Sequence, residues 1–346
     1  MRRLEPCALA LLVAAAGFLI DPARANDTYA ELVPGGLRFE KTDKIRMERE
    51  ALVIDPDRVT VAYVFRNVTD QDARAEVAFP LPDIDMASLS ETPHVFHTST
   101  HPGDVFDFRL SVDGKPAAAR FDVHAIGQTG NRDVTALLRK YNVPLVDAGE
   151  GGADPQVVMQ KLDPAAIAAL AAGGAVFKDD PDRHPNWTVR AAYHWTQSFP
   201  AHGQVEIAHE YKPVLGGGLR NASSLADPKG NGLPPGFCGS PEAAAEAAKL
   251  PGHAADNTME QGGPLVMRWL SYVLSTGANW AGPIGQFSLE IKQGKADIVS
   301  PCPIPGLSLR RQDRSLIGEA ADFMPRSDIK LLYVYGYCSE QDCTRR

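Results

Sequence analysis

WTVRAAYHWTQSFPAHGQVEIAHEYKP, residues 187–213, is the stretch whose pattern decides the fold. Trp187, Val189, Ala191, Tyr193 and Trp195 fall on one side of the alternation, and Thr188, Arg190, His194 and Thr196 on the other. A period of two is what a half-buried strand requires, because successive side chains leave opposite faces of the pleat. After a turn through Phe199 to Gly203 the alternation resumes at Val205, Ile207, His209 and Tyr211. The pattern predicts a β-hairpin with one apolar face.

The same pattern occurs earlier. Val59, Val61, Tyr63 and Phe65 match Val189, Ala191, Tyr193 and Trp195 at an offset of 130, and Ala75, Val77 and Phe79 match Val205, Ile207 and His209 at the same offset. A register kept without a gap across the turn predicts an internal duplication. The expected fold is therefore mainly β, with two antiparallel sandwich-like halves and short helical insertions. The expected organisation is a leader at 1–25, an N-terminal β domain at 26–127, a helical insertion and linker at 128–180, and a C-terminal β domain at 181–346.

Around these hairpins, Leu37 to Phe39, Ile45 to Met47 and Leu52 to Ile54 predict short strands, with Asp55-Pro56-Asp57 as a turn. Phe106, Phe108, Leu110 and Val112 alternate into Asp113-Gly114, a two-residue turn signal, and Ala119, Phe121 and Val123 return from it. Asp133 caps a segment whose Val134, Leu137, Leu138 and Tyr141 share one helical face. Asp163-Pro164 and Ser240-Pro241 open two more helices, with Gly173-Gly174 and Pro251-Gly252 as stops. Leu265 to Leu274 is apolar throughout and, with Tyr272 and Val273, is read as a strand. Phe287 to Ile291 and Ile329 to Tyr337 alternate as strands do.

Residues 1–25 carry a basic start at Arg2 and Arg3, an apolar run from Cys7 to Ile20, and a small-x-small pattern, Ala23-Arg24-Ala25. This predicts a secretory leader cleaved after Ala25 and a periplasmic protein. Cleavage would remove three basic and two acidic residues and move the formal charge from −8 to −9. Acidity without a Lys/Arg stripe argues against nucleic acid as a partner, and no later run is long enough to span a membrane. Four cysteines remain, Cys238, Cys302, Cys338 and Cys343, an even number consistent with two disulfides in an exported chain. Of three connectivities, Cys238–Cys302 with Cys338–Cys343 is preferred, because the last pair is close in sequence.

FRNVTDQDARAEVAFPLPDID (65–85), DVTALLRKYNVPL (133–145), WTQSFPAHGQVEIAHEYKPVLGG (195–217) and LSTGANWAGPIGQF (274–287) together resemble the bacterial exported family known as domain of unknown function 4424. That resemblance brings no activity and no catalytic residues with it. The hairpin from Tyr63 to Pro82 also resembles the strand–turn–strand "FPLP" element of vault-protein inter-alpha-trypsin domains.

Candidate sites are few. His94, His97 and His101 place three imidazoles in one polar loop and could ligate zinc or copper. Asp83 and Asp85, or Glu206 and Glu210, could supply carboxylates for hydrolysis of an envelope polymer if they converge on a substrate. His209 shares its face with Val205 and Ile207, which makes it a buried histidine with one partner rather than half of an acid–base pair with Glu210. Trp280 and Asn279, in a Gly/Pro-rich loop, are expected to be exposed and to form a binding surface. No phosphate-loop or dinucleotide fingerprint occurs, so no cofactor is expected. The leading expectation is a non-catalytic envelope binding or interaction module with an envelope protein or glycan as partner, and the alternative is a periplasmic hydrolase.

Overall fold

The computed structural model describes residues 26–33, 36–87, 94–95, 106–146, 153–227, 232–250 and 265–336. The chain opens with β1 (Thr28–Val33), β2 (Gly36–Glu40), β3 (Ile45–Asp55), β4 (Arg58–Asn67), β5 (Ala73–Pro80), β6 (Ile84–Asp85) and β7 (His94–Val95). There follow β8 (Arg109–Val112), β9 (Lys115–Ala117), β10 (Arg120–Gly127) and β11 (Arg132–Asp133). Three short helices come next, α1 (Thr135–Lys140), α2 (Pro155–Gln160) and α3 (Pro164–Gly173). Then come β12 (Trp187–Phe199), β13 (Gln204–Tyr211), β14 (Leu215–Arg220), α4 (Pro241–Ala247) and β15 (Leu265–Tyr272). The described chain ends with β16 (Ile284–Lys292), β17 (Ile298–Pro301), β18 (Arg310–Gln312), β19 (Ser315–Phe323) and β20 (Ile329–Tyr335).

The fold is mainly β, as the alternation predicts, and its strands form three sheets. The first runs β11-β10-β12-β5-β1-β2, with β6 also on β12. The second runs β18-β19-β16-β3-β4-β13-β8-β9, and the third β17-β20-β15-β14-β7. Every ladder is antiparallel except β16 on β3.

The two long repeats form their strands but not as hairpins. β12 pairs with β5, and β13 with β4, so each strand–turn–strand is an arch whose legs lie in different sheets. Partner numbers total 270 across β4–β13, as in Phe65 with Val205, and 272 across β5–β12, as in Val77 with Trp195. An exchange of identical repeats would make the totals equal. The slip of two residues is one full pleat period, so both ladders keep their apolar residues on the inner face. The alternation fixes which face is buried and leaves open which strand edge is met, which is why a hairpin and an arch look alike in sequence.

The arch turns hold one another. Asn67, fully buried, donates from Nδ2 to the carbonyls of Phe199 at 2.9 Å and Gln71 at 2.8 Å, and its backbone N–H donates to the Gly203 carbonyl at 3.1 Å. The two sequence halves are thus interleaved rather than set side by side, and strands from both build the first two sheets. One core lies between those sheets, with Phe79 on His209 at 4.2 Å and Phe108 stacked on Tyr193 at 4.0 Å between ring centres.

β3 is one strand broken in phase. Ile45 and Met47 face inward, and so do Glu50, Leu52 and Ile54, because a bulge between Met47 and Arg49 adds a residue to the β3 side. The Leu265 to Leu274 run is apolar on both faces because β15 is covered twice. Leu270 and Tyr272 join the main core, while Leu265, Met267 and Trp269 join a second one with Leu225 and Phe237. Trp269 lies across the glycines of β14, and a Cβ on Gly216 would fall 1.7 Å from its Nε1.

Two of the three predicted N-caps form; Asp133 is not the N-cap of α1, whose N-cap position is Val134 without a side-chain bond, and instead accepts from the Thr135 backbone N–H at 2.8 Å. Asp163 and Ser240 accept from the backbone N–H groups of Ala166 and Ala243, and Gly174 ends α3 in the left-handed region at φ 88°. α2 begins at Pro155, where no helix is read from the sequence; Asp154 caps it, accepting from the backbone N–H groups of Gln156 and Val157. Cys238 and Cys302 are disulfide-bonded, as expected, whereas Cys338 and Cys343 lie outside the described residues.

Candidate functional site: a groove backed by a buried polar centre

Where the arches cross, the inward positions are not all apolar. β4 contributes Tyr63 and β13 contributes His209 and Tyr211. The β3 bulge turns Glu50 inward, opposite Tyr63. The residues that lead into β1 and open it complete the group: Asn26, Asp27 and Thr28 are each 0% exposed. His209 Nε2 lies 3.1 Å from Asp27 Oδ1. Asn26 donates from Nδ2 to Glu50 Oε2 at 3.1 Å and accepts the Tyr63 hydroxyl on Oδ1.

Burial pushes the Glu50 carboxyl up to about 8, with the neighbouring Asp27 adding to the shift and the Asn26 hydrogen bond opposing it. Burial also raises Asp27, against the pull of His209. The same desolvation raises the hydroxyls of Tyr63, Tyr211 and Tyr272, the last lying 3.4 Å from that of Tyr63. Of the nine buried side-chain polar atoms without a hydrogen-bond partner among the described residues, four belong to this centre: Asp27 Oδ2, Glu50 Oε1, His209 Nδ1 and Tyr211 Oη. Buried polar atoms are nearly always paired, so this centre stands out from the rest of the core.

His209 also lines a groove of about 950 Å³ associated with the second sheet. Its wall includes a row running across four strands, Ala51, Ala62, Ala208 and Ser111, continued by Pro116. These outward positions carry small side chains, so the sheet surface is recessed there. The aromatic part of the lining is Phe108, Phe121 and Tyr193, with ring centres 4.0 Å apart for Phe108–Tyr193 and 4.8 Å for Phe121–Tyr193. Arg109 and Glu210 supply charge at 3.3 Å from each other, and Arg58 holds the same Glu210 oxygen at 2.7 Å.

The candidates from the sequence fall as follows. Trp280 is not an exposed contact but core: it is 3% exposed, donates from Nε1 to the Asp27 carbonyl at 2.6 Å, and packs on Phe65 at 4.6 Å. The surrounding Gly/Pro loop folds inward because that indole fills the end of the sandwich. Asn279 donates to Thr28 Oγ1 at 2.9 Å and fixes the same segment. His209 is buried with the single partner the alternation predicts, although Asp27 as that partner was not evident from the sequence.

The four carboxylates do not form one constellation. Asp83 meets Arg190 and Asp85 meets Gln128, both on the side of the first sheet. Glu206 and Glu210 lie on the outer face of the second, where Glu206 is exposed and Glu210 sits between two arginines. His97 and His101 lie outside the described residues, and of His94 only the strand position in β7 is described. Among the described residues, Asp180, Asp182 and His184 bring metal-type ligand atoms within 4.8 Å of one another. Asp180 already accepts from the His184 and Asp182 backbone N–H groups, which accounts for that geometry as a turn.

Asp27 and Glu50 were the residues sequence reasoning passed over. The phase break between Met47 and Leu52 carries the signal for Glu50, since only an inserted residue reconciles the two alternations.

Fold and site together define a mainly β, antiparallel sandwich protein with a groove on one sheet and a charged centre beneath it. Residues 25–332 match the family described as Domain of unknown function (DUF4424), and the chain belongs to that family. It is similar to a solved structure of a nutrient-binding candidate from Legionella pneumophila subsp. pneumophila str. Philadelphia 1, at 16% identity and a TM-score of 0.40, over 91% of this chain and 73% of that one. Likeness at this level carries no argument about function. No curated protein matches the chain.

Proposed function

We propose that this chain is an exported, non-catalytic binding protein of the cell envelope, and that its ligand occupies the groove of the second sheet. The observation that carries this reading is the lining: aromatic rings, small aliphatic side chains and a fixed Arg109–Glu210 pair in one recess of about 950 Å³. Clefts of this size with mostly apolar walls and a few fixed polar groups are what small-ligand sites look like. An amphipathic ring compound, such as a sugar unit of an envelope glycan, presents the apolar face and hydroxyl edge that such a wall accepts. The leader pattern at 1–25 and the Cys238–Cys302 disulfide support export to the periplasm. A hydrolase would need two carboxylates facing each other across that recess, and among the described residues only Glu210 borders it.

The test is thermal shift against cell-wall saccharides and muropeptides, run on the natural protein and on Ala208→Trp. That substitution fills the recess from a partly exposed position without touching the core. A ligand at a hundred times its dissociation constant stabilises by roughly 2.7 kcal/mol. The expected result is a rise in melting temperature that Ala208→Trp abolishes. A rise that survives the substitution would move the site elsewhere.

A further inference from the structure

The residues that open the described chain are buried as deeply as any in the core. Thr276 Oγ1 donates to the Asn26 carbonyl at 2.8 Å, and Trp280 Nε1 to that of Asp27. With Tyr63, Glu50, His209 and Asn279, six side chains from four separate stretches converge on residues 26–28. Chain ends are ordinarily loose and solvated. Here the small-x-small pattern Ala23-Arg24-Ala25 ends one residue before a segment that the whole fold grips. The family match begins at residue 25, at the same boundary.

The centre is also short of positive charge. It holds two carboxylates, Asp27 and Glu50, and one imidazole, His209. Among the described residues no lysine or arginine pairs with either carboxylate, and one oxygen of each is buried without a partner. A buried carboxylate without a cation is costly to ionise, and burial accordingly favours the protonated form of Glu50. Residue 26 is 0% exposed, and its side-chain amide donates to Glu50 Oε2 at 3.1 Å, so the whole residue lies in this centre.

We propose that the mature protein begins at Asn26, and that its α-ammonium group is buried beside Glu50 as the missing cation of this centre. Processing hydrolyses the Ala25–Asn26 peptide bond: water gives its hydroxyl to the Ala25 carbonyl carbon and its hydrogen to the Asn26 nitrogen, which takes a further proton. The neutral amide N–H of the precursor becomes a charged group with three donors, in a centre where Asp27 Oδ2 and Glu50 Oε1 lack partners. Cleavage then stabilises the fold directly, and the uncleaved precursor is the less stable species. This inference rests on the export reading above.

The experiment compares four full-length mature chains: the authentic Asn26 start released from a fusion by protease, the same chain with one alanine before Asn26, and Glu50→Gln in both forms. Intact mass of the exported protein is taken first, and 26 is the expected first residue. The one-residue extension is expected to lower the melting temperature by roughly 5 °C or more, and Glu50→Gln to remove that difference. Should Glu50→Gln fail to fold, an amine-reactive label decides: the authentic α-amine stays unlabelled in the native protein and reacts after unfolding. A start elsewhere than Asn26 would overturn both the cleavage position and this inference. A start at Asn26, with a freely labelled amine and no cost of extension, would overturn the inference alone.

Discussion

Replacing Trp280 by alanine separates a structural role from a binding one. The indole is buried against Phe65 and Phe199, with ring centres 4.6 and 6.4 Å away, and it satisfies the Asp27 carbonyl. Removing a buried tryptophan costs roughly 3–5 kcal/mol through lost burial and the cavity left behind, and an orphaned buried carbonyl adds about 1 kcal/mol or more. Trp280→Ala should therefore destabilise by about 4–6 kcal/mol. Trp280→Phe keeps most of the packing on Phe65, loses the N–H, and should cost about 1–2 kcal/mol. Equilibrium unfolding in urea reads both, as a shift of midpoint with little change in slope. A Trp280→Ala protein within about 0.5 kcal/mol of the natural one would behave as a surface variant. That result would refute the burial of the 275–284 loop and with it the anchoring of residues 26–28.

Two further outcomes follow from side-chain geometry. His124 is held between Asp122 at 3.1 Å and Asp133 at 2.7 Å; the Asp122 hydrogen bond leads in pushing its pKa up to about 9, with Asp133 assisting against burial. A raised folded-state value means the stabilisation is full below about pH 6.5 and is lost as pH rises through 9, so the stability gap between the natural protein and His124→Gln should close across that window. Removing the Cys238–Cys302 disulfide opens a loop closed over a separation of 64 residues, which on the chain-entropy account costs about 4 kcal/mol. Cys238→Ala/Cys302→Ala should show that loss in urea unfolding, and a loss under about 1 kcal/mol would contradict it.

Much of the architecture was legible because it rests on local physics. Alternation in 59–65, 75–79, 187–195 and 205–211 marks strands regardless of partner. Asp113-Gly114 forms the predicted tight turn, with Val112 opposite Lys115. Asp163, Ser240 and Gly174 act as caps because their side chains or backbone freedom serve only neighbouring residues. What was not legible depends on distant residues. The choice between hairpin and arch is made by strand edges, about which an alternating pattern is silent. Trp280 looked exposed because glycine and proline around it signal a loop, and a loop folded over a core has the same composition as one facing water. Glu50 was hidden because one bulge inverts the meaning of every position after it. The groove was illegible for a related reason: its small residues Ala51, Ala62, Ala208 and Ser111 become one row only once four strands are in register.

The crossed pairing of the two arches builds the core, the polar centre and the groove, and one cross-link tests it. Ala62 and Ala208 are direct partners on the outer face of β4 and β13. Antiparallel partners of this kind lie about 4.5–5.5 Å apart at Cα, within disulfide range. Ala62→Cys with Ala208→Cys, in a chain whose Cys338 and Cys343 are serine, should close a new disulfide under mild oxidation, found by mass as a linked pair of peptides from both repeats. If β12 and β13 were instead paired as a hairpin, those thiols would belong to separate ladders and remain free.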